Sequence, residues 1–196
     1  MKRFLAFTLA ILLSACASVA QSPSAPSALA WRHTGSTSYE PQFPGLGTQQ
    51  TYASTSGEID VYVYGLRRND WAPGISDPQF AAHFERTVAD VRLIAQRGLY
   101  TNLQVGTARD VMVSGQMFRA VSFRFSLNGK RILSTIYLTA RNGQLLKYRV
   151  SIDAASGLDV DAVAQAFIEE NLRSGHGLTT REVENIAVTG MYVHAA

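Results

Sequence analysis

The chain has 196 residues, with 18 basic side chains against 15 acidic ones. Lys2 and Arg3 lie in a segment that we expect to be removed, which leaves 16 basic residues against 15 and no case for nucleic-acid binding. The length suits one domain with a substantial core. The single cysteine, Cys16, excludes an internal disulfide and a cysteine metal site.

Residues 1–15 predict a secretory signal peptide. Lys2 and Arg3 give a positive start, and the apolar run FLAFTLAILL and two small residues follow. The run is about half of the ~20 residues that a membrane-spanning helix needs, and no later stretch approaches that length. We therefore expect export and no transmembrane helix in the mature chain.

The signal ends in Leu13-Ser14-Ala15-Cys16, which resembles the lipobox of bacterial lipoproteins. The resemblance implies a diacylglyceryl group on Cys16, cleavage before it and acylation of the freed amine. Two or more acyl chains hold a protein stably at a membrane. Ala17, in place of aspartate, resembles an outer-membrane address, so the expected location is the periplasmic face of the outer membrane.

A second cleavage site stays open in the sequence. Ser18-Val19-Ala20 is an acceptable small-x-small site for ordinary signal cleavage, which would discard Cys16 and release a soluble periplasmic protein. In the lipoprotein interpretation, residues 16–28 are the lipidated N-terminus and a flexible tether rich in serine, proline and alanine. Residues 29–175 form one domain, and residues 176–196 form a polar tail that either adds one further strand at 186–188 or is irregular.

Two strands and a helix are predicted first. Residues 46–54 and 58–66 have the alternation and the β-branched and aromatic residues of strands, and the aromatic residues on both faces suggest that the second is covered on both sides. After a loop at 67–75, Asp77 and Pro78 indicate a helix start, with Asp77 as the N-cap. Apolar residues at helical spacing predict a helix of about twenty residues that ends at Gly98.

The next segment predicts an antiparallel meander. Three alternating stretches, at 117–127, 132–138 and 146–152, are separated by Asn128-Gly129 and Asn142-Gly143. Asn-Gly is typical of type I′ hairpin turns, because both residues tolerate a positive φ. Val111 and Val113 form a shorter alternating pair before them.

A second amphipathic helix follows, capped by Asp159 and ended by Gly175. The order strands, helix, strands, helix predicts an α+β fold in which two α-helices pack on an antiparallel β-sheet. This order is similar to the PsbP/Mog1-like α+β sandwich, and that resemblance implies an accessory or partner-binding role. The stretch from Val61 to the second helix is also similar to uncharacterised proteobacterial envelope proteins.

The sequence offers no catalytic, cofactor or metal motif. The four histidines lack metal-ligand spacing, and His83 is expected to be exposed or at a rim. No Gly-x-Ser-x-Gly elbow or phosphate-binding glycine loop occurs. Asp159 and Asp161 suit a helix N-terminus, and Glu169-Glu170 suits a solvated helix face. We therefore expect a protein that is not an enzyme.

Residues typical of interface hot spots occur together in one segment. Tyr62, Tyr64, Arg67 and Trp71 are the predicted partner-binding residues, since tyrosine, arginine and tryptophan are enriched at hot spots. Four basic residues of neighbouring strands would extend this surface if their faces coincide: Arg119, Arg124, Lys147 and Arg149. In the alternative interpretation the tyrosines pack under a helix and the arginines extend into solvent.

Two functions therefore remain. The first is a membrane-anchored envelope lipoprotein, held by the lipid on Cys16, whose domain binds an envelope protein partner. The second is a periplasmic small-ligand carrier or an enzyme without a visible active site. It would need a cavity between sheet and helices, lined by aromatic residues such as Phe84, Phe123 and Tyr148.

Overall fold

The computed structural model describes residues 30–175, which fold into eight strands and two α-helices. The elements are β1 (Arg32–Ser38), β2 (Thr48–Ala53), β3 (Gly57–Tyr64), α1 (Phe80–Gln96), β4 (Thr101–Val105), β5 (Arg109–Val113), β6 (Gln116–Leu127), β7 (Lys130–Arg141), β8 (Gln144–Asp153) and α2 (Val160–Ser174). The strands form one antiparallel sheet in the order β1-β2-β3-β8-β7-β6-β4, and β5 pairs with β6 beside β4. The predicted α+β class is confirmed.

The predicted meander is confirmed at both of its turns. Asn128 and Gly129 have φ values of +51° and +78°, and Asn142 and Gly143 have +52° and +77°. These left-handed conformations match the right-handed twist of the strands that the turns join. Ser114 and Gly115 form a third turn of this kind between β5 and β6.

The two helices lie on opposite faces of the sheet, so the domain has two cores. Side chains of β3 alternate between them: Ile59 and Val61 face α2, whereas Tyr64 faces α1. The core under α1 is formed by Phe80, Phe84, Val88, Val91, Val121, Phe123, Phe125, Ile136, Leu138, Ala140 and Leu145, with Tyr64 and Trp71. Phe84 and Phe123 therefore lie on one face, while Tyr148 lies on the other beside Phe167 of α2. The sheet separates the residues that the carrier hypothesis placed around one cavity.

The cap of α2 is as predicted, but the start of α1 is not. The Asp159 carboxylate accepts hydrogen bonds from the backbone N–H groups of Asp161 and Ala162, and Gly175 ends α2 with φ +73°. Asp77 is not the N-cap of α1, because the helix begins at Phe80 after a separate turn. The side chain of Asp77 instead binds the N–H of Gln79, the N–H of Ala72 and the guanidinium of Arg68.

Two edge strands, β1 and β4, were not predicted. Every residue of β1 is exposed and its composition is polar, so it has no hydrophobic alternation, and β4 has a register irregularity against β6. Strands of this kind form because they pair with a neighbouring strand, and their own residues carry little preference for strand. The predicted signal peptide, Cys16, the tether and the strand at 186–188 all lie outside the described residues. Within residues 30–175, neither helix combines the length and apolarity needed to cross a membrane.

Candidate functional site

The structure divides the four predicted partner-binding residues between core and surface. Tyr64 and Trp71 are buried under α1, Tyr62 is partly buried, and Arg67 is exposed. The indole N–H of Trp71 donates to the carbonyl of Gly65 at 2.9 Å. In this conformation Tyr64 and Trp71 stabilise the loop after β3, so only Tyr62 and Arg67 reach a surface that a partner could contact.

His83 belongs to the same buried cluster, and its expected exposure was wrong. Only 8% of its surface is exposed, and its Nε2 lies 2.7 Å from the hydroxyl of Tyr64 and its ring 6.0 Å from that of Trp71. Burial, and secondarily the positive charges of Arg86 and Lys147, lower the pKa of His83 to about 4. The imidazole is therefore neutral at physiological pH.

Of the four basic residues, Arg119 lies two strands away from Lys147 in the same cross-strand row, and Lys147 and Arg149 are direct neighbours on one surface. They occupy alternate positions of β8, opposite Tyr62 and Asp60 of β3, on the face that carries α1. Arg119 makes a two-point ion pair with Asp110, with Nε 2.8 Å from Oδ1. Arg124 lies on the opposite face, the one that carries α2, because it is an even number of residues along β6 from Phe118 and Ala120, which pack there.

The Lys147 ammonium lies on aromatic rings rather than against a carboxylate. Its Nζ is 3.9 Å from the ring centre of Tyr62 and 5.8 Å from that of Tyr64, within the range of cation–π attraction. Among residues 30–175, no carboxylate oxygen lies within 4.0 Å of it. Burial, and secondarily the charge of Arg149, lower the pKa of Lys147 to about 8.

The groups around Lys147 are held by their own contacts. The Nη2 of Arg149 donates to the hydroxyl of Tyr100 at 2.8 Å, and the Tyr100 ring stacks on Phe125. The Asp60 carboxylate accepts hydrogen bonds from Gln49 and Thr51 of β2, at 2.7 and 2.9 Å. We call Asp60, Tyr62, Tyr100, Lys147 and Arg149 the Lys147 site.

A second surface lies at the end of the sheet where β1 turns into β2. The Glu40 carboxylate accepts hydrogen bonds from the N–H groups of Gly45 and Gly47, which fixes the loop. Phe43 and Leu46 protrude from it, with 55% and 45% of their surfaces exposed. The loop was not singled out in the sequence because two separated apolar residues are an ordinary surface pattern.

Arg67 stands beside this loop. Its Nε donates to the carbonyl of Pro44 at 3.2 Å, and Leu66 donates its N–H to Gly45. Leu66 and Arg67 both have positive φ, +53° and +66°, which is uncommon for residues other than glycine and costs free energy. We call Phe43, Leu46 and Arg67 the tip.

The acidic side chains of α2 that the sequence singled out are either paired within the domain or exposed. Asp161 pairs with Arg109, with Nη2 and Oδ2 2.5 Å apart, and accepts a hydrogen bond from Tyr137. Glu169 and Glu170 are exposed on α2, as predicted. In the described part of the chain, no group of three or more histidine, cysteine or acidic side chains is placed to hold a metal ion.

No family model matches the chain, and no curated protein matches it. Solved structures that are similar to this chain include the following two. A protein of unknown function from Pseudomonas aeruginosa, described as a candidate regulator, is 13% identical with a TM-score of 0.32, over 82% of this chain and 89% of that one. The solution structure of the cyanobacterial PsbP protein of Synechocystis sp. PCC 6803 is 13% identical with a TM-score of 0.41, over 80% of this chain and 96% of that one. These likenesses concern the fold, and they bring no function to this chain.

Proposed function

We propose that this chain is a lipid-anchored protein of the cell envelope whose α+β domain binds an envelope protein and catalyses no reaction. The lipobox at residues 13–16 and the tether after it support the anchor. Anchoring confines the domain to a short distance from the membrane. A tethered binding domain gains effective concentration towards other membrane components without any new contact.

The observation that carries the binding role is the tip. It combines an aromatic ring, an aliphatic side chain and an arginine, and phenylalanine and arginine are enriched at the cores of protein interfaces. The Glu40 hydrogen bonds hold these side chains in a fixed loop, which lowers the entropy lost on binding. A Cβ on Gly45 would lie 2.5 Å from the backbone nitrogen of Arg67, so the two loops are in close backbone contact.

The chemistry of the tip suggests the complementary surface. Phe43 and Leu46 would enter an apolar depression of the partner, and Arg67 would meet a carboxylate at its rim. Leu66 and Arg67 keep a strained backbone at this position, and such strain often accompanies binding sites.

Crosslinking at the tip tests the binding role. A photoreactive amino acid at position 43 of the native lipoprotein, irradiated in intact cells, should give one dominant crosslinked protein. Combining that probe with Arg67→Glu should lower the yield, because truncating a hot-spot residue typically weakens binding about 30-fold or more. The same probe at Met112, whose 56% exposure matches that of Phe43, is the control. Equal products from both positions, or a yield that Arg67→Glu leaves unchanged, would contradict the proposal.

The anchor is tested by two substitutions at the two cleavage sites. Cys16→Ala should abolish incorporation of labelled fatty acid and move the protein from the membrane to the soluble fraction. Ala20→Phe should leave processing unchanged, because cleavage before Cys16 leaves Ala20 in the tether, away from the cleavage site. If Ala20→Phe blocks processing while Cys16→Ala does not, the soluble periplasmic alternative is correct.

A further inference from the structure

The Lys147 ammonium is a cation without a close countercharge. It is partly buried, its Nζ lies 3.9 Å from the ring centre of Tyr62, and the charges of Asp90 and Asp60 favour its charged form from a greater distance. An unpaired, partly buried charge lowers stability, and the ring compensates only in part. The Oδ1 of Asp60, the acidic residue of the site, accepts hydrogen bonds from Gln49 and Thr51. A negative charge supplied from outside would complete the arrangement.

Access comes from the side of the sheet that α1 leaves open. The α1 core covers β6, β7 and one end of β8, whereas Asp60 and Tyr62 of β3 remain partly exposed and Glu58 is exposed. Tyr100, which follows α1, marks the boundary of the covered region and binds Arg149. Lys147 and Arg149 are themselves partly exposed beside these residues, and we call this edge of the sheet the ledge.

The charges around the ledge limit what can bind there. Lys147 and Arg149 supply two positive charges, and Asp60 and Glu58 of β3 and Asp90 of α1 supply three negative ones nearby. Partial burial, followed by the charge of Asp60, raises the pKa of Glu58, and the charge of Arg149 opposes this. A dianion such as phosphate would be repelled more strongly than a carboxylate. A planar carboxylate also fits the fork of an arginine.

We propose that Lys147 and Arg149 form a binding site for the carboxylate of a small molecule, walled by Tyr62 and Tyr100. Lys147 supplies a point charge, and the free N–H groups of Arg149 supply directed hydrogen bonds. Benzoate is the simplest probe of this chemistry, because its flat ring can pack beside the two tyrosines. This site is separate from the tip, so either proposal can fail without the other.

Titration of benzoate into the purified mature protein in non-ionic detergent, followed by NMR of the β8 amides, tests the site. Lys147→Met should raise the dissociation constant about 10-fold or more, since a hydrogen bond to a charged group contributes about 1.5–3 kcal/mol. Lys147→Arg should largely restore binding. Lys130→Met, which removes an exposed lysine from the β6–β7 turn, is the matched control. If Lys147→Met binds benzoate as the wild type does, or if no shift occurs at β8, the site is wrong.

Two further measurements distinguish specific carboxylate binding at this site from non-specific attraction of anions to positive charge. Inorganic phosphate at pH 7.5 should bind more weakly than benzoate, and tighter phosphate binding would overturn the carboxylate assignment. The benzoate dissociation constant should rise as the pH passes about 8, because Lys147 then loses its charge. The charged and titratable groups around Lys147 are Glu58, Asp60, Tyr62 and Tyr64 of β3, His83 and Asp90 of α1 and Arg149 of β8. Lys147→Arg should remove that rise, and an unchanged pH profile in this variant would contradict the role of Lys147.

Discussion

Lowering the pH from 7 to 4 is expected to reduce the free energy of unfolding by about 3 kcal/mol through His83 alone. The pKa of His83 is about 4 in the folded domain, against an ordinary value of 6.5. Between these values the unfolded chain binds a proton that the folded domain does not. Stability therefore falls as the pH falls from 6.5, and the loss is complete just below pH 4.

Urea unfolding at several pH values, with wild type and His83→Gln, measures this contribution. Glutamine cannot take up the proton but can still hydrogen-bond the Tyr64 hydroxyl, so the variant should lose stability less steeply in acid. Plots of the free energy of unfolding against pH should differ in slope between wild type and variant only below about pH 6.5. His33→Gln removes an exposed histidine from β1 and is the matched control. Parallel curves for wild type and His83→Gln would show that another group causes the acid sensitivity.

Replacing Lys147 by methionine is expected to raise the free energy of unfolding at pH 7 by about 2 kcal/mol. Methionine keeps the apolar stem over Tyr62 and removes the partly buried charge, whose cost appears as the pKa of about 8. The lost cation–π attraction offsets part of the gain. A gain in stability with a loss of carboxylate binding would place Lys147 among residues kept for function.

The gain in stability should depend on pH. Because the folded pKa of Lys147 lies below the unfolded one, the unfolded chain holds the extra proton between about pH 8 and 10.5. Wild-type stability should rise through this range relative to Lys147→Met, so the advantage of the variant should shrink towards pH 10.5. Thermal unfolding of both proteins at pH 7 and pH 10 measures it. If the variant is less stable at pH 7, Lys147 has a countercharge in solution, and the carboxylate site is wrong as well.

The partner-binding residues show where inference from sequence reached its limit. Tyr62, Tyr64, Arg67 and Trp71 are close along the chain, but α1 covers only Tyr64 and Trp71 fully. Tyr62 lies on the same face of β3 and stays partly exposed. The composition of a segment does not reveal which of its side chains face solvent. Arg67 is exposed beside Phe43 and Leu46 only because the β1–β2 loop folds against it.

The sequence by itself determined the parts of this protein that depend on neighbours along the chain. The Asn-Gly turns, the Asp159 cap and the glycine ends of both helices were predictable, because each needs a few adjacent residues and one local conformation. The tertiary structure alone decided the pairing of polar β1, the burial of His83 beside Tyr64 and the position of Lys147 over Tyr62. Each of these joins residues that are distant in sequence. They are brought together by the sheet register and the helix packing, which follow from the cooperative burial of two cores.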